Sequence, residues 1–272
     1  MKVPQLKKKT ELKSCHNTNW EDDYSWVHQP NILEVLKDSS KLDPEVRKYL
    51  EEENNYTEHH LKDTKGIQKT LFDEIKGRIK LDDESIPFKD RNYEYWTRTT
   101  TKGNYSIKLR KKIGTDLIEE YWNGDEEKKK LNTEYFGVGD IEVSYNDKIL
   151  GYSLDLKGSE YYTIYLRDIE TNKIISEKIE DTAGGITFSL DDKFIFYSKL
   201  DKFHRPRKIY RHKIGDNISN DKLIFEEKSD AFTVGINLTS DEKYFIITSS
   251  DHNTSEQYYF KSTEENPEPK LI

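Results

Sequence analysis

The 272-residue chain has one cysteine, one methionine and seven prolines, and no long apolar run. A single cysteine, Cys15, excludes an internal disulfide and fits a reducing compartment, so a cytoplasmic location is expected. No apolar stretch follows Met1 and no segment approaches 18 apolar residues, so neither a signal peptide nor a membrane partner is expected. An excess of basic charge is also missing. The net charge of −8 argues against nucleic acid, whose phosphates demand clustered Lys and Arg. The basic run Lys7-Lys8-Lys9 reads as a solvated tail. Apolar residues make up only 33%, which predicts a modest core, partly offset by 18 Tyr and 11 Phe. Charged residues reach 35% with both signs mixed, so the surface is heavily solvated. The Asn-x-Ser/Thr triplets at Asn55, Asn104, Asn217, Asn237 and Asn253 reflect a chain rich in Asn.

What is present is a stretch that recurs three times. It runs Val143 to Ser153, Phe188 to Ser198 and Leu238 to Thr248. Each copy holds an apolar residue, a small hydroxyl residue, a polar turn ending in Lys, and an apolar run closed by Ser or Thr. The lysines are Lys148, Lys193 and Lys243, 45 and 50 residues apart. Periods of that size belong to propellers and related arrays.

Along the chain, residues 1–30 carry few periodic apolar positions and are expected to form an extended arm anchored by Trp20, Tyr24 and Trp26. Asp43-Pro44 starts a helix, with an N-cap and a proline where the missing N–H costs nothing. Val46, Tyr49, Leu50, Tyr56 and Leu61 continue it. A second helix follows Thr64, with Ile67, Leu71, Phe72 and Ile75 on one face. Both are expected to pack on one side. From Ile86 the period becomes that of strands. Tyr93–Arg98 and Tyr105–Arg110 read as a hairpin, Leu117–Trp122 as a strand, and Gly124–Lys130 as a charged loop.

Three units then share one plan. First strands end near Val143, Phe188 or Leu238. Second strands are Ile149–Ser153, Phe194–Ser198 and Tyr244–Thr248, and third strands Tyr161–Asp168, Lys208–Ile214 and Gln257–Ser262. Fourth strands are Ile174–Ile179, Lys222–Glu227 and Lys270–Ile272. The second strands are apolar on consecutive residues, which suits a sheet covered on both faces. The fold class is therefore mainly β: a partial β-propeller of about four four-stranded blades after an N-terminal helical arm. An immunoglobulin-like sandwich is the runner-up and leaves the hydroxyl–turn–Lys repeat unexplained. The expected division is 1–85 for the arm and helices and 86–272 for the blades, and four blades read as an incomplete ring.

Three segments, taken together, resemble the prolyl oligopeptidase family of serine peptidases, and within it the oligopeptidase B type. They are His16 to Trp26; Asp43-Pro-Glu-Val with Tyr49 to Thr57; and Glu74 to Phe88 running into Tyr93–Arg98. In the first, Asp23 stands where the family's entry motif has Pro. Further matches are Ile179 to Gly185, Arg205-Pro206 with Tyr210-Arg-His212, and Ser249-Ser250 with Thr254-Ser-Glu256. The resemblance implies the helical arm and first blades of a seven-bladed propeller that restricts a C-terminal α/β-hydrolase domain to short peptides, cut after Arg or Lys. Such a hydrolase needs Gly-x-Ser-x-Gly, and these residues contain none. The expectation is a chain inactive alone, working only with a separate chain that carries the remaining blades and the hydrolase domain, with short basic peptides as ligands. The alternatives are a non-catalytic binding module or a remnant of a split gene.

No residue is nominated as catalytic, cofactor-binding or metal-binding. Ser153, in Gly151-Tyr-Ser153, lacks the second glycine. None of the seven histidines falls in a recognisable triad order, and His212 reads as an ordinary strand residue. His59-His60 are adjacent on a helix and diverge by about 100°, unlike a zinc pair at i, i+4. Asp82-Asp83-Glu84 and Asp191-Asp192 offer oxygens to Ca²⁺, but the latter lies in a repeat turn, where Asp bonds its own backbone. Gly137-Val-Gly139 lacks the third glycine of a dinucleotide loop, and Glu51-Glu52-Glu53 is a solvated helix face. The acidic excess is compatible with a chamber that attracts cationic peptides, and equally with an ordinary cytosolic protein.

Overall fold

The computed structural model describes Met1–Ile272 and contains two compact units, Met1–Leu81 and Asp82–Ile272. The first holds a hairpin of β1 (Glu11–Cys15) and β2 (Thr18–Asp22), then helices α1 (Ile32–Lys37), α2 (Pro44–Leu61) and α3 (Lys65–Gly77). The hairpin lies in the stretch expected to be merely extended. His16 and Asn17, at φ 47° and 63°, supply the two left-handed positions that a tight turn between twisted strands requires. Asp43 caps α2 as expected, accepting from the N–H groups of Glu45 and Val46 at 2.7 and 3.2 Å. The expected packing of both helices does not follow. Val46 is the only buried apolar residue of this unit, and Ile67, Leu71, Phe72 and Ile75 of α3 are 48–62% exposed. Periodicity specifies which face of a helix is apolar; it does not supply the surface that covers it.

The second unit is built of blades. β3 (Asp83–Glu84) and β4 (Phe88–Asp90) both pair with β5 (Tyr93–Thr99), followed by β6 (Ile107–Lys112) and β7 (Ile118–Asn123). Residues Gly124–Leu131, expected to be a loop, form helix α4. Asn123 caps it by accepting from Glu126 N, acids fill its first turn and lysines its last, matching the helix dipole, and Asn132 closes it at φ 49°. The second blade is β8 (Gly137–Val143), β9 (Ile149–Asp155), β10 (Tyr162–Asp168) and β11 (Ile179–Thr182). Its fourth strand thus begins where the sequence placed its end, and Ile174 makes only an isolated bridge to Arg167. The third blade is β12 (Thr187–Phe188), β13 (Phe194–Leu200), β14 (Pro206–Lys213) and β15 (Lys222–Glu226); the fourth is β16 (Thr233–Leu238), β17 (Tyr244–Ser250), β18 (Ser255–Lys261) and β19 (Lys270–Leu271). All pairings are antiparallel.

Hydrophobic clusters fill the spaces between consecutive blades. Trp122, Phe136, Leu150, Tyr152 and Leu154 join the first and second. Ile164, Leu166, Phe188, Ile195 and Tyr197 join the second and third, and Phe196, Ile209, Val234, Phe245 and Phe260 the third and fourth. Second strands β9 and β13 are buried on consecutive residues, as the apolar runs predicted, whereas β17 alternates.

The repeated turn has one hydrogen-bond plan. Ser144, Ser189 and Thr239 donate a hydroxyl to Asn146, Asp191 and Asp241, two residues on, at 2.7–2.9 Å. The same hydroxyl oxygens accept from the N–H groups of Ile149, Phe194 and Tyr244. The Asn or Asp oxygen also accepts from the N–H of Lys148, Lys193 or Lys243. The residue before each lysine is left-handed: Asp147 at φ 61°, Asp192 at 56°, Glu242 at 59°. The lysines therefore contribute mainly their backbone. Two of these left-handed residues clasp the preceding blade. Asp147 accepts from Asn92 Nδ2 and Tyr95 Oη, and Asp192 from the N–H groups of Tyr145 and Asn146 at 2.6 and 2.8 Å. Asp192 thus bonds a neighbouring blade's backbone, where the sequence suggested its own.

Candidate functional site

First strands of propeller blades lie nearest the axis, and here β8, β12 and β16, with the Asp90-Arg91 turn, line a cavity of about 670 Å³. Its wall carries four carboxylates, Asp90, Asp140, Glu142 and Glu242, against one guanidinium, Arg91. The local sequence explains the placement. β8 bulges between Val138 and Asp140, and Gly139 sits at the bulge because a Cβ there would lie 2.5 Å from Ser153 Oγ and 2.7 Å from the Tyr162 ring. Beyond the bulge the strand is regular, so Asp140 and Glu142 share its inner face while Ile141 points away.

Asp140 accepts from Ile186 N and from its own neighbour Ile141 N, both at 2.9 Å, so it also ties the second blade to the third. Burial still pushes its carboxyl above the usual range, against these bonds. Glu142 is pushed up to about 7, first by burial among the strands and then by the charge of Asp140, with Arg91 opposing. Its side chain faces the cavity while protein encloses it on most sides. Arg91, at φ 50°, pairs with Asp90 at 2.7 Å and lies 4.6 Å above the Tyr145 ring. The wall is an anionic surface with one carboxylate poised near neutrality. Its charge suits it to attracting and orienting a cation.

The groups weighed in the sequence are scattered. Ser153 is fully buried and donates to Gly184 O at 2.7 Å. His59 and His60 contact each other on α2, His60 also meets Tyr56, and Glu84 is bound to Arg98 and Trp96. No group of three or more His, Cys, Asp or Glu side chains is arranged to hold a metal ion.

One constellation escaped the sequence. Ser176 Oγ lies 2.7 Å from His212 Nε2, and His212 Nδ1 lies 2.7 Å from Asp221 Oδ1, the order of a charge-assisted triad. Tyr197 Oη donates to the other Asp221 oxygen at 2.8 Å. His212 has no exposed surface, so its ring cannot reach a leaving group as a general base must. The network is a latch between second and third blades. His212→Ala, which leaves the buried Asp221 carboxylate with Tyr197 alone, is expected to lower stability by about 2–4 kcal/mol in urea unfolding, and a fluorophosphonate probe is expected to leave Ser176 unlabelled.

Comparisons with known proteins follow the same outline. The family model described as prolyl oligopeptidase, N-terminal beta-propeller domain, matches residues 4–272. A dipeptidyl aminopeptidase BI from Pseudoxanthomonas mexicana is 28% identical over 93% of this chain, and a protease 2 from Moraxella lacunata is 28% identical over 94%. The chain spans 36% of the length of each of these curated relatives. The solved oligopeptidase B from Leishmania major superposes with a TM-score of 0.86 at 22% identity, over 99% of this chain and 39% of that one, a likeness of fold.

Proposed function

The chain belongs to the prolyl oligopeptidase N-terminal β-propeller family, and on that premise we propose that it forms the substrate-facing propeller part of a serine oligopeptidase, admitting short peptides that carry Arg or Lys. The acyl-transfer machinery lies outside these residues, which contain no Gly-x-Ser-x-Gly. The partner in this reading is a hydrolase domain together with further blades, whether on the same polypeptide or on a second one. The observation that carries the proposal is the inner wall, with four carboxylates facing one guanidinium. A concave surface of one sign concentrates ligands of the other and focuses its field away from screening water.

The test is fluorescence anisotropy with labelled tetrapeptides that differ only in Arg, Gln or Glu at two positions. The Arg peptide is expected to bind at least tenfold more tightly than the Gln peptide at low salt, with the gap narrowing as ionic strength rises. Equal affinity for Arg and Gln peptides would remove the basis of the proposal. The same sample is expected to show no turnover of an Arg-coumarin peptide.

Glu142 sets a pH dependence whose sign differs between binding and stability. Its folded pKa, about 7, stands above the ordinary 4.5, so folding takes up a proton between these values. Its favourable contribution to stability is complete below about pH 4.5 and is lost as pH rises through 7. Cation binding runs the other way and strengthens from pH 6 to 8 as the carboxylate ionises. Glu142→Gln is expected to flatten both profiles. After solvent screening of its open side, the stability gain at pH 8 is on the order of 1 kcal/mol.

A further inference from the structure

A second cavity, of about 500 Å³, lies between the third and fourth blades and shares no residue with the acidic wall. Its floor is apolar. Phe196, Phe245 and Phe260 are each at least 97% buried, with ring centroids 4.7–5.7 Å apart. Its polar lining holds Arg211 and Lys222, which stand directly opposite each other on β14 and β15, together with Lys193 and the carboxylates Asp191, Glu264 and Glu265.

The first blade shows what this arrangement lacks. The third strands of the first and third blades end alike, with Ile113 N donating to Asn92 O and Ile214 N to Lys193 O. Counting back three residues from each gives Arg110 and Arg211, both about 95% buried. Opposite Arg110 stands Glu119, bonded to the guanidinium at 2.7 Å, and Asp147 O accepts a second N–H at 2.6 Å. Opposite Arg211 stands Lys222, a cation in place of the anion. The Arg211 guanidinium has one hydrogen bond, to Glu265 O at 2.7 Å, and lies 4.3 Å from the Phe194 ring. Burial works against its charge, and Asp191 only partly offsets this. That carboxylate is itself committed to Ser189 and Lys193, and Glu264 accepts from Lys261 N. Like charges directly opposite on paired strands repel, and the Arg211 guanidinium keeps N–H groups that no protein acceptor takes up and that an anion can engage.

We propose that this cavity binds a carboxylate bearing an aromatic group, with the carboxylate bridging Arg211 and Lys222 and the ring resting on the three phenylalanines. Guanidinium binds a carboxylate through two parallel N–H bonds, and the aromatic floor adds selectivity that neither cation has alone. The ligand can be a free aryl acid or the C-terminal residue of a peptide, since both present the same two groups.

Isothermal titration of the whole chain with 3-phenylpropionate, 3-phenylpropanol, acetate and inorganic phosphate separates the contributions. Phenylpropionate is expected to saturate, with the other three at least tenfold weaker. Ala-Ala-Phe and its C-terminal amide distinguish the two sources: binding of the tripeptide acid, lost in the amide, assigns the peptide terminus. Failure of that acid while phenylpropionate binds assigns the free acid. Arg211→Met is expected to lower affinity for phenylpropionate at least tenfold with an unchanged far-UV spectrum. If that variant does not fold, Lys222→Glu, at an exposed position, restores the first-blade pairing and is expected to abolish binding while raising stability. Phenylpropanol or phosphate binding as tightly as phenylpropionate, or no saturation at millimolar concentration, would overturn the proposal.

Discussion

Arg167→Ala is expected to destabilise the bladed unit by about 3–5 kcal/mol, because it breaks a buried ion pair from one side. Arg167 Nη1 lies 2.8 Å from Glu127 Oε1, with the side chains 7% and 11% exposed. Arg167 belongs to the third strand of the second blade and Glu127 to α4, so the pair holds the helix to the blade. The guanidinium also lies 5.1 Å from the Tyr152 ring and 5.7 Å from Trp122, within the cluster joining the first two blades. Without it, the Glu127 carboxylate keeps only Lys130, at 3.1 Å and 63% exposed, a partner largely in water. Equilibrium urea unfolding measures the loss. Replacing both partners, Arg167→Met with Glu127→Leu, is expected to recover most of it, since an apolar pair of similar volume leaves no charge behind. A loss below about 1 kcal/mol for Arg167→Ala would mean that Lys130 and solvent already neutralise Glu127.

Phe245→Ala is expected to cost a similar amount, about 3–5 kcal/mol, for a different reason. Phe245 is 1% exposed and packs against Phe196 at 4.7 Å and Phe260 at 5.1 Å, three rings from β13, β17 and β18 at the joint of the third and fourth blades. Truncation removes the ring from its contacts and leaves a void that interlocked strands cannot close. Phe245→Leu keeps most of the volume and is expected to cost about 1–1.5 kcal/mol. Thermal and urea unfolding of the two variants check the ratio. Equal costs would mean that the joint is too loosely packed to register shape.

The blades were legible because their signal is local. A hydroxyl residue, an Asn or Asp two positions on, a left-handed residue and a lysine make one closed set of hydrogen bonds within six residues, repeated at Ser144, Ser189 and Thr239. The most conspicuous member of that signature, the lysine, matters least. Helix α4 was misread because Asp125–Lys130 looks like a mixed charge run; the cap at Asn123 and the acid-first, base-last order were the available signal. The fourth strand of the second blade starts later than the apolar pattern indicates, because Ile174 and Ile175 meet β10 only at an isolated bridge and the strand proper begins at Ile179.

The acidic wall was only partly legible. Asp140 and Glu142 alternate along one strand, a pattern readable as one polar face. Asp90 and Glu242 are separated from them by 50 and 100 residues and join them only through the stacking of blades. The same holds for Ser176, His212 and Asp221, which come from two blades. The Arg211–Lys222 pair lies within one blade, but its meaning appears only when its register is compared with Arg110–Glu119. Local geometry is written in neighbouring residues, whereas sites that depend on blade packing are not.

The central claim is that the inner strands form an anionic wall that holds basic peptides. Its most direct test compares the chain with an Asp140→Asn/Glu142→Gln variant, titrated with an Arg-containing tetrapeptide and its Gln counterpart at pH 8 and low ionic strength. The account predicts that the variant loses at least tenfold in affinity for the Arg peptide and nothing for the Gln peptide. Unchanged affinity for the Arg peptide in a variant that remains folded would contradict it.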